Sequence, residues 1–278
     1  VILPTYWTPE IWTAKERYEA FCYYSDDLGQ TWHTSRNRMP APDRGAMEPA
    51  VVERFFQERL SLDPADNVPF LPREVVMVLN DDQVIDVITG PQGILKGAAE
   101  GSTVICMSTI NRDNLDWMDR ECREHKVNFI DCPFTGGPAR IAIGTLTLIA
   151  AAPEPVLSPC RGILEVIGKI TLAGETPGMG QAIKHCNQLL VTAIHAAAIE
   201  LIILAQKSGV DPRLVCEVVG SGIGGNDYFR LLSKAILENT SSPGGMGQLW
   251  KDINIVITSS RKHNLPLLVA SAVSQYFN

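Results

Sequence analysis

The feature that most constrains the fold of this chain is a long helical pattern over residues 179–208. Its apolar residues cover nearly every side of the helix, so the middle must be enclosed by other helices or by a partner subunit. Gly209 ends the pattern, because glycine is the common residue after a last helical turn. Thr192, His195 and Glu200 lie in its most apolar part, and they favour a buried core helix over a membrane span.

Residues 74–171 show a different pattern, in which short β-branched runs alternate with amphipathic helical segments. This alternation is typical of an α/β sheet, and strand–helix–strand repetition predicts parallel pairing. Asn111 or Asp113 is expected to cap the second helix. The predicted strands are 75–79, 104–107, 127–130 and 146–150, and the predicted helices are 82–89 and one that ends at His125.

Three shorter helical segments follow the long one, at residues 212–219, 228–238 and 247–263. They predict an all-helical second domain. The Gly-rich stretch at 220–225 follows a helix rather than a strand, so we interpret it as an interhelical loop and not as a dinucleotide-binding turn.

Charge and cysteine usage narrow the class of protein. The formal net charge of −7 argues against nucleic acid as a partner, because nucleic-acid-binding surfaces are built from clustered Lys and Arg. The cysteines occur singly, and His185, His195 and His263 have no acidic or cysteine partners at ligand spacing, so we expect no metal. The first residues lack a basic segment followed by an apolar core, and we expect a cytoplasmic protein without a membrane partner.

Three blocks of sequence carry the chemistry. The first is DCPFTGGP at 131–138 followed by GTLT at 144–147, the second is GMGQAIKHCNQ at 178–188, and the third is Lys251-Asp252. Ser108-Thr109-Ile110 adds a shorter match. In this order the blocks resemble the 3-hydroxyisobutyrate and tartronate-semialdehyde dehydrogenase family, and the resemblance extends from about Arg73 to Asn278.

The resemblance implies an oxidoreductase that transfers a hydride between NAD or NADP and a short 3-hydroxy acid or semialdehyde, and a homo-oligomer formed through the helical domain. Lys184 would be the acid–base residue, and Asn187 would orient the substrate hydroxyl or carboxylate with support from Gln188. Many members of the family have a second Asn at the position of Gln188. The other implied substrate-binding residues are Ser108, Gly136 and Gly137, and the implied cofactor-binding residues are Leu79, Asn80, Thr109 and Lys251.

The residues themselves allow simpler interpretations beside these roles. Lys184, Asn187 and Gln188 share one helix face, yet a lysine in a helix is most often a solvated surface residue. The pair at 136–137 lets backbone N–H groups approach a carboxylate, but such pairs also mark simple tight turns. Lys251 would close the cleft over the nicotinamide in the family, and the alternative is a surface ion pair with Asp252 or a neighbour.

The N-terminal part differs from the rest, since its first fifty or so residues are rich in aromatic residues, Pro and Arg without helical periodicity. The segment SDDLGQTW at 25–32 matches the Asp-box pattern of sialidase-like β-propellers, in which a carboxylate and a Trp hold a hairpin. A hairpin around residues 27–29 is therefore predicted, and without further blades we expect it to pack poorly against the rest.

No GxGxxG occurs before Arg73, although the resemblance implies a Gly-rich turn that binds the pyrophosphate at a helix N-terminus. The predicted architecture is a foreign β-rich, sialidase-like fragment at 1–55, an incomplete Rossmann-like parallel sheet at 56–177 and a truncated all-helical domain at 178–278, with the seam between Val52 and Leu71. Three functions stay open: a working dehydrogenase, a catalytically silent chimeric remnant with an oligomerising helical domain, and a sialidase-related glycan-binding or hydrolytic protein.

Overall fold

A computed structural model describes residues 80–91, 93–240 and 246–277, together with short strand segments at 19–20, 22–24, 33–34, 39–40 and 74–76. The chain divides into two compact units, Val1–Lys184 and His185–Asn278. We call them the sheet unit and the helical unit. This division falls within a helix, after the boundary at 177/178 that the sequence predicts.

The sheet unit contains ten short strands and five complete helices among the described residues. The strands are β1 Glu19–Ala20, β2 Cys22–Tyr24, β3 His33–Thr34, β4 Met39–Pro40, β5 Glu74–Val76, β6 Thr103–Cys106, β7 Asn128–Asp131, β8 Phe134–Thr135, β9 Leu146–Ala151 and β10 Gly168–Gly174. The helices are α1 Asp81–Thr89, α2 Arg112–Glu124, α3 Gly137–Ala142, α4 Glu154–Leu157 and α5 Arg161–Ile167, with 3-10 turns at Ile94–Lys96 and Ser158–Cys160.

The main sheet has the order β10-β9-β7-β6, with β8 paired to β9. β6 and β7 are parallel, as are β9 and β10, but β7 and β9 are antiparallel through Asp131 and Ala151. The prediction of an all-parallel sheet is therefore wrong at this step. A parallel return needs a crossover above the sheet, whereas the segment between β7 and β9 forms β8 and the short helix α3, and β8 then pairs antiparallel with β9.

The sheet is covered on both faces, as an α/β fold requires. Along β6, Val104 and Cys106 belong to one buried cluster, and Ile105 belongs to the other, since successive strand residues point to opposite faces. Side chains of α1 and α2 complete the first cluster, and those of α4 and α5 complete the second. This arrangement confirms the Rossmann-like α/β unit, and it adds β10, α4 and α5 to the predicted elements.

Local capping explains where the first helices begin. The side chain of Asn80 accepts a hydrogen bond from the backbone N–H of Gln83 at the start of α1. Asn111, rather than Asp113, caps α2, because its side chain accepts from the backbone N–H of Asp113. Asp81 links the start of α1 to the start of α2, because its carboxylate accepts hydrogen bonds from the Asn111 backbone N–H and the Asn114 side-chain amide, both at 2.7 Å.

The described N-terminal strands include a pair that flanks the Asp-box segment. β2 and β3 are antiparallel, with Tyr24 opposite His33, which agrees with a hairpin, although the turn residues 25–32 lie outside the described residues. β2 also pairs with β5 over three residues. This pairing differs from the expected poor packing, because the edge of β5 offers backbone hydrogen-bonding groups to β2. The predicted seam at 52–71 lies outside the described residues.

In the helical unit, every element that the structure describes is helical. The first helix is α6 Met179–Lys207, whose opening turns belong to the sheet unit, and α7 Pro212–Ser221, α8 Asp227–Leu237, α9 Met246–Lys262, α10 Leu268–Ser274 and a 3-10 turn at Gln275–Phe277 follow. The predicted long helix and its stop are confirmed: Gly209 has φ of +72°, and the N–H of Val210 returns to the carbonyl of Ala205. α10 was not predicted.

α6 has the length and composition of a membrane-spanning helix, with a mean hydropathy of 2.0 in its most apolar window, of which 39% is buried. Core helices of soluble proteins have the same properties. Within this helix Thr192 and His195 are 0% and 3% exposed, and both have hydrogen-bond partners inside the helical unit. These satisfied polar residues agree with the core-helix interpretation.

Candidate active site

Asp131 is the polar centre of the sheet unit. It is the last residue of β7 and is fully buried, and one carboxylate oxygen accepts from the backbone N–H groups of Gly178 and Gln181 at 2.8 and 3.1 Å. These groups lie at the start of α6, where a helix has N–H donors without intrahelical acceptors. Asp131 therefore attaches the first turns of α6 to the sheet, which explains why the boundary between the units falls after Lys184.

Gln181 extends this attachment to the loop after β6. Its side-chain amide donates to the carbonyl of Ser108 at 2.9 Å and to the second oxygen of Asp131 at 3.2 Å. Its Oε1 accepts from the backbone N–H of Ile110. The fully buried Gln181 side chain thus fixes the segment 108–110, which contains two predicted site residues.

Two opposing effects set the protonation of Asp131. Burial raises the pKa of its carboxyl to about 6 from the ordinary 3.8, while hydrogen bonds from Gly178, Gln181 and Gly180 lower it. Cys106 and Cys132 lie close enough for the Asp131 charge to act on them, and burial first and this charge second raise the pKa of both thiols. Asp131 and Gln181 belong to the sequence motifs, but neither was predicted to have a role. The signal for a role of Asp131 is a carboxylate at the end of a buried strand.

The predicted residues of the sheet unit lie at three places. Ser108 is buried and Thr109 is half-buried in the loop after β6, and Asn80 is half-buried in the turn before α1. Leu79 lies outside the described residues. Ligands of α/β sheets bind beyond the carboxyl ends of parallel strands, and Thr109 follows β6 at such an end. Asn80 follows β5, which pairs antiparallel with β2 in a separate sheet.

Gly136 and Gly137 follow β8 directly, as predicted, and form the start of α3. Both are exposed, with φ of +139° and +69°. A Cβ at Gly137 would meet no atom, whereas one at Gly136 would approach Arg140 and Leu146. The space beside the Gly137 Cα is therefore open. Lys184 is half-buried on α6, at the end of the sheet unit.

The helical unit brings together four motif residues from two distant segments of the sequence. On α6, the side-chain amide of Asn187 donates to Oε1 of Gln188 at 2.8 Å, and the amide of Gln188 donates to Oδ2 of Asp252 on α9. The ammonium of Lys251 lies 2.9 Å from the other oxygen of Asp252. Gln188 is 7% exposed, and Asp252 is fully buried.

The ion pair between Lys251 and Asp252 differs from the surface pair that was the alternative interpretation. The side chain of Lys251 is 19% exposed, and that of Asp252 is 0% exposed. Oδ1 of Asp252, the oxygen nearest the ammonium, accepts no hydrogen bond among the described residues. Buried carboxylates normally have all their acceptor sites filled, so this oxygen is held mainly by charge.

Two histidines of the helical unit are buried. His195 lies 2.9 Å from the hydroxyl of Tyr228, and burial lowers the pKa of His195 and raises that of Tyr228 to about 12. His185 is buried, and its Nδ1 lies 3.5 Å from Ser259 Oγ. Within the described residues, no group of three His, Cys, Asp or Glu side chains is arranged to hold a metal ion.

A cavity of about 250 Å³ lies in the helical unit, away from the Asn187–Lys251 network. α7 and α8 line it with charges of both signs, including Arg213, Glu217 and Lys234. It contains none of the predicted site residues, and its mixed charges select no ligand class. The hydrogen-bonded network of Asn187, Gln188, Asp252 and Lys251 is therefore a better candidate for the functional site than this cavity.

Two family models match this chain. One describes the NAD-binding domain of 6-phosphogluconate dehydrogenase and matches residues 46–176, and the other describes the NAD-binding domain of NADP-dependent 3-hydroxyisobutyrate dehydrogenase and matches residues 178–278. The first match ends, and the second begins, close to the start of α6. The fold and these models define the class as an NAD-binding oxidoreductase.

Similar proteins narrow that class. The 2-(hydroxymethyl)glutarate dehydrogenase of Eubacterium barkeri is 28% identical to this chain over 194 residues. The matched region is 69% of this chain and 64% of that enzyme, so this chain spans less than two thirds of the enzyme's length. The 2-hydroxy-3-oxopropionate reductase of Escherichia coli is 29% identical over 205 residues, 73% of this chain and 70% of that enzyme. A solved 3-hydroxyisobutyrate dehydrogenase from Salmonella typhimurium superimposes with a TM-score of 0.68 at 25% identity, covering 73% and 72% of the two chains. The chain belongs to the NAD(P)-dependent 3-hydroxyacid dehydrogenase family.

Proposed function

We propose that this chain oxidises a short 3-hydroxy acid, or reduces the corresponding semialdehyde, with NAD or NADP. The observation that carries the proposal is the hydrogen-bonded network of Asn187, Gln188, Asp252 and Lys251. A buried polar network is costly unless its members are satisfied, and a buried oxygen that accepts no hydrogen bond calls for an explanation, of which a functional role is one. Membership of the 3-hydroxyacid dehydrogenase family supports the same reaction class.

Each predicted residue has a task that its chemistry allows. Lys184 takes up the hydroxyl proton at Nζ during oxidation and returns it during reduction. Asn187 orients the substrate, and backbone N–H groups at Gly136 and Gly137 receive its carboxylate, with Ser108 beside it. Asn80, Thr109 and Lys251 contact the nicotinamide end of the cofactor, and Leu79 lies beside Asn80 in the sequence. The cofactor supplies hydride transfer when bound.

Fluorescence titration tests this proposal most cheaply. NADH and NADPH should each be titrated with the protein, and then NAD(P)⁺ reduction should be followed with 3-hydroxyisobutyrate and 2-(hydroxymethyl)glutarate, and NAD(P)H oxidation with 2-hydroxy-3-oxopropionate. Saturable binding of at least one cofactor and turnover of at least one acid are expected. The proposal would be contradicted by a protein that binds neither cofactor and turns over none of these substrates.

The second candidate is a catalytically silent chimeric remnant that keeps an oligomerising helical domain. Such a remnant would lack the pyrophosphate contacts that a Gly-rich turn supplies. It predicts that neither nucleotide binds, while the helical unit still folds and associates. A sialidase-related function rests on the Asp box alone and predicts release of a glycan product, which a sialidase assay of the same protein would detect.

We also propose that the protein is a cytoplasmic homo-oligomer that associates through its helical unit. α6 exposes large apolar side chains, including Leu190 at 62% and Leu204 at 67%. A second copy would remove these side chains from water without adding charge to the interface. Light scattering should give a mass above that of one chain, and Leu204→Glu should lower it. The matched control Lys207→Glu, at the end of the same helix, should leave the mass unchanged.

A further inference from the structure

We infer that Gln181 is a positioning residue, which holds the loop after β6 against the first turns of α6 and thereby sets the position of Lys184 relative to Thr109. The task of Lys184 in this inference rests on the proposed function. The contacts of Gln181 do not depend on that function, and they lie within the sheet unit. Gln181 itself takes part in no step of the reaction described above.

The Gln181 side chain contacts the backbone on both sides of Thr109. Its amide NH₂ donates to the carbonyl of Ser108 at 2.9 Å, and its Oε1 accepts from the N–H of Ile110 at 3.2 Å. This loop follows β6 at the carboxyl end of a parallel strand, where α/β sheets bind their ligands. Gln181 therefore fixes the backbone that carries Thr109 at the edge of the sheet where ligands bind.

Only one orientation of the Gln181 amide satisfies these contacts. The nitrogen and oxygen of an amide can usually exchange positions without a change in shape. Here the Ile110 N–H is a donor, whereas the Ser108 carbonyl and the Asp131 carboxylate are acceptors. Exchange of the two amide ends would place donor against donor at Ile110 and acceptor against acceptor at the other two groups. The side chain is also 0% exposed, so bulk water does not replace a lost contact.

The first turns of α6 transmit this placement to Lys184. The backbone N–H of Gln181 donates to Asp131 at 3.1 Å, so its main chain and its side chain are both attached to the sheet. Lys184 follows three residues later in the same helix, and residues three apart are neighbours on a helix surface. A shift of Gln181 away from the loop therefore moves the base of the Lys184 side chain as well. Misplacement of a reacting group by about 1 Å can cost about 100-fold in rate.

Two variants break the contacts in different ways. Gln181→Met keeps the length of the side chain and removes its donor and its acceptor. Asp131→Asn leaves Gln181 in place but offers it an NH₂ group, because the backbone N–H groups of Gly178 and Gln181 hold the oxygen of the new amide. Two NH₂ groups then face each other, and Gln181 must turn or withdraw. Ser233→Ala, which removes a buried hydroxyl from α8 in the helical unit, is the matched control for destabilisation.

Amide hydrogen exchange at Ile110 tests the contact without requiring turnover. Nuclear magnetic resonance of the full chain should show exchange about 10-fold faster in Gln181→Met, because the Ile110 N–H has lost its acceptor on residue 181. Exchange at Ile110 should keep its wild-type rate in Ser233→Ala. Equal exchange rates in wild type and Gln181→Met would overturn the inference, whatever the activity of the protein.

Single-turnover kinetics separate placement from stability. The protein is used in increasing excess over the acid, with NAD(P)⁺ saturating, at about pH 8, where Asp131 with its pKa of about 6 is ionised. The substrate is 3-hydroxyisobutyrate or 2-(hydroxymethyl)glutarate, whichever the wild type oxidises. We expect the maximum rate constant to fall about 10–100-fold in Gln181→Met, and to fall also in Asp131→Asn. Lower stability alone would raise the protein concentration needed and leave the maximum rate constant unchanged, as in Ser233→Ala.

The route through Lys184 is tested in a second background. In Lys184→Ala the group that Gln181 positions is absent, so Gln181→Met should change the remaining rate constant by less than about 3-fold. A loss as large as that in the wild-type background would overturn the route through Lys184. Should Gln181→Met not fold, Asp131→Asn is measured in both backgrounds with the same expectation.

The remaining outcomes are separable. An unchanged maximum rate constant in Gln181→Met with Lys184 intact would overturn the positioning role. A wild-type protein that oxidises neither acid would overturn the proposed function, and exchange at Ile110 would still decide whether Gln181 holds the loop.

Discussion

Each unit contains one carboxylate that is 0% exposed, Asp131 in the sheet unit and Asp252 in the helical unit, and the two are satisfied in different ways. Asp131 accepts hydrogen bonds from neutral groups, namely backbone N–H groups at the start of α6 and the side-chain amide of Gln181. Asp252 in the helical unit has one amide donor and one ammonium, and one of its oxygens accepts no hydrogen bond among the described residues. Asp131 thus stabilises the attachment of a helix to a sheet, whereas the partners of Asp252 are side chains predicted to act on ligands.

The largest expected effect on stability follows removal of the charge beside Asp252. Lys251→Met would leave a fully buried carboxylate without its compensating cation, and we expect a loss of about 3–5 kcal/mol in the free energy of unfolding. Chemical denaturation of the full chain measures it. Lys251→Met with Asp252→Leu should recover most of this loss, because an apolar pair carries no desolvation cost. If Lys251→Met alone left the free energy of unfolding unchanged, the ammonium of Lys251 would not be needed to stabilise the buried Asp252 carboxylate.

The next effect is steric and concerns Asp131. A Cβ at Gly180 would lie 2.6 Å from the carbonyl oxygen of Ile149 and 2.9 Å from Asp131, so Gly180→Ala must displace the start of α6. We expect destabilisation of about 3 kcal/mol, near the upper end for overpacking, because the blocking atom belongs to the backbone. Gly247→Ala is the control: its Cβ meets nothing within 4 Å, and the change should stabilise α9 slightly. Equal effects of the two variants would show that the contact at Gly180 is unimportant.

The smallest expected effect at neutral pH is that of Asp131→Asn, about 1–2 kcal/mol for a weakened acceptor at the helix start. Because burial raises the pKa of folded Asp131 to about 6, the unfolded chain releases this proton first as the pH rises from 4. The wild-type carboxyl therefore stabilises the fold most below pH 4, and about 3 kcal/mol of that contribution disappears by pH 6.

The destabilisation caused by Asp131→Asn should therefore grow as the pH falls from about 7 to 4. Denaturation curves of both proteins across this range measure the difference, and Asp82→Asn, an exposed carboxyl in the first turn of α1, serves as the control. A difference that does not change with pH would show that Asp131 titrates normally.

The sequence predicted α6 closely because the signals for a helix are local. Uninterrupted helical periodicity and the stop at Gly209 set its ends, and the structure has them at Met179 and Lys207. The direction of β9 was not predictable in this way, since it depends on how the chain between β7 and β9 folds back. A strand pattern is the same in either direction.

For the site, sequence motifs identified the residues but not their partners. Asn187, Gln188 and Lys251 were named from the resemblance, and the contact between α6 and α9 that joins them through Asp252 appears only in the folded chain. The burial of Asp252 could not be anticipated either, because an adjacent Lys-Asp pair is usually solvated.

The most direct test of the proposed chemistry is the rate of nicotinamide reduction by wild type and Lys184→Ala, with the accepted 3-hydroxy acid saturating and cofactor affinity measured in parallel. General acid–base groups contribute about 10²–10⁴-fold, so we predict a loss of that size in kcat with cofactor binding within about 3-fold of wild type. A Lys184→Ala protein that retained near-full kcat would contradict the assignment of Lys184 as the acid–base residue.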